Sequence, residues 1–386
     1  MEFPIPTGAC IFARHQSRHS LHLEKLILTH FRNYEFQSLE FAPRLNLVVG
    51  LNGMGKTNLL DAVYYLCMGK SQFSGNDRNV RQKGADFFRL EGYFQNNGGQ
   101  QKVVAKVIPG QLKQLELDDK AYDKLSDHVG HFPVVFKAPD DTALALEGSE
   151  ERRRFVDNTL CQLDNRYLAE LMEYNRLLQR RNAALKQMAE QHRWDPTLLQ
   201  VYDEKMKVPA EYILQRRTSF VQDFEPVFNR QFTVISGGKE QVHIKFKSQL
   251  QDTGFKSLME ANREKDRILQ RTTGGIHKDD LGFQLNDMPL KRFASQGQLK
   301  SFVLALKLAQ YELLKQQKQF KPILLLDDLF DKLDDERVNH LIRLLVEGDF
   351  GQVFITDTHP EKAEAIARNF GGEYRKFVVE AGTVAV

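Results

Sequence analysis

A glycine-rich octapeptide, GLNGMGKT, spans residues 50–57. Its glycines allow successive backbone N–H groups to close around a phosphate, and the positive end of a following helix favours the same anion. In this pattern Lys56 reaches the β- and γ-phosphates, and the hydroxyl of Thr57 is a ligand for Mg²⁺. The octapeptide therefore predicts a site for ATP. The residues expected to contact the nucleotide are Gly50, Leu51, Asn52, Gly53, Met54, Gly55, Lys56, Thr57 and Asn58.

Two adjacent acids, Asp327 and Asp328, follow the apolar run 323–326. Such a run is typical of a buried strand, and ligands bind at the carboxyl ends of the strands in open α/β sheets. Because two neighbouring carboxylates rarely share one role, we assign Asp327 to the Mg²⁺ ion. Asp328 is assigned to catalysis together with Lys56, as the group that orients or deprotonates the attacking water.

A third candidate segment is the tetrapeptide SQGQ at 295–298, which precedes an amphipathic helix pattern. Ser295, Gly297 and Gln298 could present hydroxyl and amide groups to an anion at the start of that helix. The same residues could also form an ordinary helix N-cap. Taken alone, the tetrapeptide leaves both interpretations open.

These segments lie among alternating strand and helix patterns, which predict an α/β fold. The octapeptide stands between a strand pattern and a helix pattern that starts at Lys56, which is the context that a phosphate-binding loop needs. A β-rich region is expected at 86–136, with a hairpin turn at 97–99. The further strands are expected at 23–28, 44–49, 232–246 (broken by Gly237-Gly238), 322–326 and 352–355, and a further helix at 299–314.

A long helical stretch is predicted between Pro139 and Pro196, where apolar residues keep a near-heptad spacing from Leu160 to Met188. The simpler interpretation is one helix of a subdomain that packs on its neighbours. A coiled coil that binds a partner is the alternative.

The composition is that of a globular protein, with 41% hydrophobic and 27% charged residues and a net charge of +3. This charge neither requires nor excludes a nucleic-acid partner, since a binder would need its cations gathered on one face. The apolar runs are too short to cross a membrane. Three widely spaced cysteines form no metal or disulfide pattern, which favours a reducing, cytoplasmic location. Residues 1–20 are interpreted as a disordered extension, with a basic contact arm as the alternative.

Phosphate loop, SQGQ segment and acidic strand end occur in this order in the ABC ATPase superfamily, which the chain resembles. The resemblance implies an ABC-type P-loop ATPase head with an inserted, mainly helical arm. It also implies that two protomers enclose two ATP molecules, each P-loop facing the signature, here SQGQ, of its partner. Residues 331–334 resemble the D-loop of the family, with Asp334 as its acid.

Two positions depart from the transporter members of that superfamily. The acid after the buried strand is usually Glu in transporters and is Asp328 here. The switch residue, often a His that follows a strand-ending Thr, could be Asp357, Thr358 or His359. The sequence leaves this choice open.

Five blocks lie outside or extend the general ATPase motifs: LTHFRNY at 28–34, VVFKAPDD at 134–141, RRRFVD at 152–157, GIHKDDL at 275–281 and FASQGQLK at 293–300. They are similar to segments of the RecF family, which the chain resembles from about Leu21 to the end. In GIHKDDL, Ile276 and Lys278 replace a proline and an arginine of the family pattern. The length of the insertion also fits this family, and it fits neither a transporter nor the long coiled-coil chromosome-maintenance proteins.

The resemblance implies an ATP-dependent DNA-binding protein that dimerises on ATP at junctions of single-strand gaps and duplex DNA. It implies slow, DNA-stimulated ATP hydrolysis and a role in recombinational repair, replication restart and SOS induction, with RecR as partner and RecO and RecA downstream. It places Arg32 and Asn33 beside the nucleotide. Candidate DNA contacts are Lys70, Arg78, Arg81, Lys83, Arg152, Arg153 and Arg154.

Each of these cations could instead be a solvated surface charge, and the run at 152–154 could pair with Glu150 and Glu151. His277 could be a buried structural histidine or a site residue.

The predicted domains are an ATPase head formed by 21–138 and 270–386 and a mainly helical arm at 139–269. Two other functions stay open. One is an ABC-type regulator of a nuclease or anti-phage system, which would show no ATP-dependent DNA binding. The other is a nucleotide-sensing scaffold with negligible turnover.

Overall fold

The computed structural model describes residues 21–238, 240–329, 343–345, 348–370 and 372–385. The predicted extension at 1–20 and the predicted D-loop with Asp334 lie outside these residues. No helix within them is both long and apolar enough to span a membrane.

Fifteen strands and nine α-helices lie wholly within the described residues. The strands are β1 (His22–Phe31), β2 (Tyr34–Glu40), β3 (Leu45–Val49), β4 (Phe88–Asn96), β5 (Gly99–Val107), β6 (Gln114–Leu117), β7 (Lys120–Ala121), β8 (Val134–Lys137), β9 (Val242–Lys247), β10 (Asp280–Leu285), β11 (Met288–Pro289), β12 (Ile323–Leu326), β13 (Val353–Asp357), β14 (Tyr374–Glu380) and β15 (Thr383–Ala385). The helices are α1 (Lys56–Met68), α2 (Ala143–Leu146), α3 (Ser149–Leu163), α4 (Asn165–Glu190), α5 (Pro196–Ser236), α6 (Phe255–Leu269), α7 (Leu290–Phe293), α8 (Gln296–Lys318) and α9 (Pro360–Phe370).

The central sheet has the order β15-β14-β3-β13-β12-β8, and all its strands except β15 run parallel. Side chains of a strand alternate between the two faces of a sheet, and both faces are covered here. Val48 packs toward α1, whereas Leu47 and Val49 pack toward α8. Because the strands are parallel, the carboxyl ends of β3, β12 and β13 meet at one edge, where the site is built.

An antiparallel sheet of order β2-β1-β4-β5-β6-β7 covers the other side of α1. Helix α1 therefore lies between two sheets, which explains why eleven of its thirteen residues are buried. The predicted β-rich region forms β4 to β8, and the hairpin turn lies between β4 and β5 as expected.

Helices α3 to α6 form the arm, and their core continues into α8 and β10. Four phenylalanines, Phe220, Phe224, Phe228 and Phe232, follow one stripe of α5 at four-residue spacing and are all buried. Phe228 also meets Phe302 of α8 edge to face, with 5.0 Å between ring centroids. The arm is thus packed directly on the helix that begins at the SQGQ segment.

The strand predicted over 232–246 is wrong in its first part, because 232–236 are the last turn of α5 and Gly237 ends that helix. Aromatic and β-branched residues favour strands locally, but Phe232 is the fourth member of the buried helical stripe, so packing overrides propensity. Only Val242–Lys247 forms a strand.

The long helical stretch is also divided, since Asp164 caps α4 by accepting a hydrogen bond from the Tyr167 backbone N–H (3.0 Å). Its heptad positions Leu160, Tyr167 and Tyr174 are buried within this chain. This burial favours the interpretation of intramolecular packing.

Candidate nucleotide-binding site

The octapeptide connects β3 to α1, as predicted, with its lysine as the first helical residue. The Lys56 Nζ donates hydrogen bonds to the carbonyl oxygens of Gly50 (2.9 Å) and Leu51 (3.1 Å). Its side chain is buried, so the lysine is held within the loop that it would serve. Phosphate oxygens would take the place of these two carbonyls as partners of the ammonium group.

Side chains from β2 and from the turn before it fix the shape of the loop. Asn33 donates from Nδ2 to the carbonyl of Met54 (2.8 Å) and accepts from Nδ2 of Asn58 (2.7 Å). The Tyr34 hydroxyl donates to the carbonyl of Gly55 (2.9 Å). Gly55 has a φ of 121°, and a β-carbon there would come within 2.5 Å of the Asn33 amide. The loop therefore needs glycine at this position both for its conformation and for this contact.

Asp327 joins the loop to the end of β12. Its two carboxylate oxygens accept hydrogen bonds from the hydroxyls of Thr57 (2.7 Å) and Thr356 (2.6 Å). The carboxyl is fully buried, and burial raises its pKa above the ordinary value. Residues 270 positions apart thus meet because β3, β13 and β12 are neighbours in the parallel sheet.

Thr57 and Asp327 fit a Mg²⁺ ion. Both present oxygen atoms, which this hard cation prefers, and the hydrogen bond between them shows that one small ion can reach both. No group of three or more His, Cys, Asp or Glu side chains suited to a metal occurs among the described residues. Mg²⁺ is usually bound by few protein ligands together with substrate phosphates and water. When bound, the ion would neutralise charge on the phosphates.

Asp328 lines the same cleft, with residues of the loop, around a space of about 170 Å³. Its backbone lies in the left-handed region (φ 44°), and its N–H donates to the Thr356 hydroxyl (2.9 Å). One threonine on β13 therefore positions both acids. The residues lining the cleft are Asn52, Gly53, Gly55, Lys56, Thr57, Asn58 and Asp328.

Thr356 and Lys137 contribute to the site and were not selected from the sequence. Lys137, at the end of β8, donates from Nζ to the Asp327 backbone carbonyl (3.1 Å), and burial lowers its pKa. A hydroxyl residue at the end of a predicted parallel strand is a signal that could have indicated Thr356. Lys137 carries no comparable local signal.

Arg32 lies at the other side of the loop and is paired within the protein. Its guanidinium donates to the Asp61 carboxylate (2.9 Å) and to the Ser71 hydroxyl (3.0 Å). The structure thus brings Asn33 against the P-loop and directs Arg32 toward α1 and the segment after it. Direct nucleotide contacts of both residues stay predictions.

The SQGQ segment forms the N-terminus of α8. The Ser295 hydroxyl accepts from the Gln298 backbone N–H (3.2 Å), and the Gln298 side chain accepts from the Ser295 N–H (2.7 Å). Gln298 also bonds Glu240. These two hydrogen bonds form a capping box, so Ser295 and Gln298 act as an ordinary helix N-cap in this chain. Gly297 lies between them in the first turn of α8. None of the three residues lines the cleft of their own chain within the part that the structure describes.

Of the three candidates for the switch residue, Asp357 is the last residue of β13, and Thr358 and His359 follow that strand directly. Asp357 is buried and accepts from the His359 backbone N–H (2.6 Å), while the Thr358 hydroxyl contacts Nδ1 of His359 (3.0 Å). None of them lines the cleft in the described residues. The choice among Asp357, Thr358 and His359 stays open.

The candidate DNA contacts differ in whether their side chains already pair with other groups of the protein. Arg152 forms an ion pair with Asp280 (2.7 Å), and Arg153 donates to the Asp279 backbone carbonyl (2.6 Å). Arg154 is half exposed and pairs with Glu150 and Glu151 of its own helix, as the alternative interpretation expected. Among the other candidate DNA contacts, Lys70, Arg78 and Lys83 are exposed to solvent and Arg81 is half-buried.

His277 proves to be a structural histidine. Its Nδ1 contacts the Tyr174 hydroxyl (2.9 Å) and its Nε2 the Thr272 carbonyl (3.2 Å). Burial lowers its pKa to about 4, so it is neutral near pH 7.

The parallel sheet, the P-loop and the acids at the end of β12 define an ATPase head of the kind shared by RecF, RecN and SMC proteins. The family model described as the RecF/RecN/SMC N-terminal domain matches residues 22–376. The DNA replication and repair protein RecF of Flavobacterium johnsoniae is 42% identical over 357 residues, which are 92% of this chain and 99% of that protein. The chain belongs to the RecF family.

Further relatives agree with this assignment. The DNA replication and repair protein RecF of Cytophaga hutchinsonii is 40% identical over 364 residues, covering 94% of this chain and 96% of that protein. A solved structure of the recombination mediator protein RecF with ATP, from the RecFOR pathway, matches with a TM-score of 0.85 and 26% identity. The match covers 96% of this chain and 99% of that one. The Smc head domain of Pyrococcus furiosus shares the fold, with a TM-score of 0.53 and 16% identity.

Proposed function

We propose that this chain is an ATP-dependent DNA-binding protein of the RecF type. It binds ATP with Mg²⁺ in the P-loop cleft and dimerises on ATP at junctions of single-strand gaps and duplex DNA. It hydrolyses ATP slowly, with stimulation by DNA, and acts with RecR and RecO in recombinational repair that involves RecA.

The observation that carries the ATPase part of this proposal is the hydrogen bond between Thr57 and Asp327. It joins the phosphate loop to the acidic strand end, so the two predicted Mg²⁺ ligands are adjacent. Asp328 faces the same cleft as Lys56, which suits the task of orienting the attacking water. A preorganised site of this kind supports turnover more than a purely sensing role.

Dimerisation is supported by where the SQGQ segment lies. Ser295 is exposed and Gly297 and Gln298 are half-buried at the start of α8, whereas the cleft of the same chain is lined by the P-loop and Asp328. A nucleotide in that cleft would therefore present its open side to another molecule. A second copy of this chain offers a helix N-terminus suited to a phosphate.

The DNA part of the proposal is supported by the names of the relatives, which are DNA replication and repair proteins, and by the RecFOR pathway named for the solved RecF structure. Within this chain the exposed cations Arg78 and Lys83 are candidates for phosphate contacts. Arg152 and Arg153 are less suited, because Asp280 and the Asp279 carbonyl already engage them.

The deciding experiment measures binding to gapped duplex DNA with and without Mg-ATP, using fluorescence anisotropy at constant salt. We expect tight binding that requires ATP and is lost in Lys56→Ala. Removal of a phosphate-binding group of this kind also lowers the rate of hydrolysis by about 10²–10³. Lys120→Ala, which removes an exposed lysine on β7, is the matched control and should bind as the unaltered protein does.

Other results would redirect the assignment. ATP binding without any response to gapped, single-stranded or duplex DNA would contradict the repair function and leave an ABC-type ATPase. ATP-dependent DNA binding without measurable hydrolysis would contradict the turnover part alone.

A further inference from the structure

A cavity of about 380 Å³ lies at the tip of the arm, remote in sequence from every residue of the nucleotide site. It is formed where the end of α4, the connection to α5 and the end of α6 meet. Five of its seven lining residues are apolar. The lining consists of Leu185, Met188, Ala189, His192, Trp194, Arg267 and Ile268.

The floor of this cavity is a small core of its own. Leu185, Met188 and Leu199 pack with Ala184, and the half-buried Trp194 packs against them. The Arg267 guanidinium lies 5.7 Å from the centre of the Trp194 ring, which holds the indole from the side of α6. One wall of the cavity is therefore aromatic. Clefts of this volume, lined mostly by apolar residues, are typical of binding sites.

An exposed apolar edge continues the cavity toward solvent. Ile268 is 68% exposed although it lines the cavity, and Leu269 beside it is 45% exposed. Exposure of two large aliphatic side chains next to an indole costs solvation free energy, which a bound apolar side chain would recover.

The two segments that supply most of the cavity lining, 186–195 and 264–271, carry an excess of exposed positive charge and are called the rim below. The exposed charged residues in 186–195 and 264–271 comprise five basic and two acidic side chains. One of the acids, Glu264, is bonded to Arg267 (2.7 Å). The half-buried Asp195 caps α5 by accepting from the Leu198 backbone N–H (3.0 Å). The exposed charges are Lys186, Glu190, Arg193, Glu264, Lys265, Arg267 and Arg271.

We propose that the arm tip is a docking site for an acidic peptide segment of a partner protein, which inserts one aromatic or large aliphatic side chain beside Trp194. The cavity takes the side chain, and the basic rim attracts the flanking Asp and Glu residues. A basic or uncharged segment would lack the second interaction. None of the residues that line this cavity lines the P-loop cleft.

The protein provides its own probe, since Trp194 is its only tryptophan. The full chain is titrated with a nine-residue peptide of one central Phe flanked by Asp and Glu, while indole fluorescence is recorded. A fluorescein-labelled copy of the peptide gives the affinity by anisotropy. We expect saturable binding with a shift of the indole emission. The same peptide with Ser in place of Phe, or Lys in place of the acids, should bind at least tenfold more weakly.

Two substitutions test the location. Ile268→Ser and Arg267→Glu should each weaken binding at least tenfold and leave ATP hydrolysis unchanged. The matched controls Val234→Ser and Arg230→Glu alter an exposed aliphatic residue and an exposed arginine near the end of α5, and should bind normally. Circular dichroism confirms that each variant is folded. No binding of the Phe peptide, equal binding of its Ser analogue, or full binding by Ile268→Ser would overturn the proposal.

Discussion

Replacement of Thr57 by valine removes one hydroxyl and leaves the shape of the side chain unchanged. That hydroxyl donates to Oδ2 of Asp327 at 2.7 Å, and the acid is fully buried. Thr356 supplies the hydrogen bond to the other carboxylate oxygen. Loss of a hydrogen bond to a buried charged group costs about 1.5–3 kcal/mol. We therefore expect Thr57→Val to lower the free energy of unfolding of the nucleotide-free protein by about 2 kcal/mol.

The same change removes a predicted Mg²⁺ ligand. ATP affinity is measured by titration calorimetry in Mg²⁺ and in EDTA, and the ratio of the two affinities reports the contribution of the ion. We expect Thr57→Val to reduce this ratio at least tenfold. Thr57→Ser keeps the hydroxyl and is the matched control, so its stability and its ratio should stay near those of the unaltered protein.

The two measurements separate the two parts of the reasoning. An unfolding free energy within 0.5 kcal/mol of the unaltered protein, on the order of a neutral surface change, would refute the hydrogen bond to Asp327. An unchanged Mg²⁺ ratio in the valine variant would refute the metal assignment of Thr57, whatever the stability shows.

Three further predictions concern catalysis, the arm and acid stability. Asparagine tolerates the left-handed backbone of Asp328, so Asp328→Asn should fold and retain ATP binding. Its rate of ATP hydrolysis, measured as phosphate release, should fall by about 10²-fold or more. Normal turnover would show that Asp328 is not the catalytic acid. Arg217→Met leaves the buried Asp279 without its partner at 2.7 Å and should cost about 3–5 kcal/mol in urea unfolding; a loss below about 1 kcal/mol would contradict the buried ion pair. Burial lowers the pKa of His128 and of His277 to about 4, so the unfolded chain binds more protons between pH 6.5 and 4, and stability falls as pH falls through this range. Each histidine should lower the free energy of unfolding by about 2 kcal/mol at pH 5. The double variant His128→Gln, His277→Gln should therefore show a weaker pH dependence of its stability in urea unfolding. An equally strong pH dependence in the double variant would show that these two histidines do not cause the loss.

The nucleotide loop could be predicted from the sequence because its information is local. Eight consecutive residues specify the glycine conformations, the lysine and the hydroxyl, and the apolar patterns on either side specify the strand and helix that hold them. The acid pair was found for the same reason, since a short buried strand ends at Asp327. Relatives that cover almost the whole chain confirm the family that these motifs indicated.

Charged residues were harder to assign, because an arginine that binds DNA and one that is buried have the same local sequence character. Arg181 of α4 is buried and pairs with Asp203 of α5 and Asp266 of α6. Arg217 of α5 is almost fully buried and pairs with Asp157 of α3 and with Asp279 of the GIHKDDL segment. These partners, like Asp280 of Arg152, become neighbours only when the helices α3 to α6 and the GIHKDDL segment pack together.

The phosphate loop, the two acids at a strand end and the family to which they belong could therefore be predicted from the amino-acid sequence. Which of these groups contact one another depends on the tertiary structure. Sheet order places the Thr356 hydroxyl between Asp327 and Asp328, and it brings Thr57 within 2.7 Å of an acid 270 residues away. Packing on Phe302 likewise made a helix of residues that favour a strand. Local propensities are worth tenths of a kcal/mol per residue, whereas a buried side chain contributes about 1.5–3 kcal/mol, so long-range contacts prevail where the two conflict.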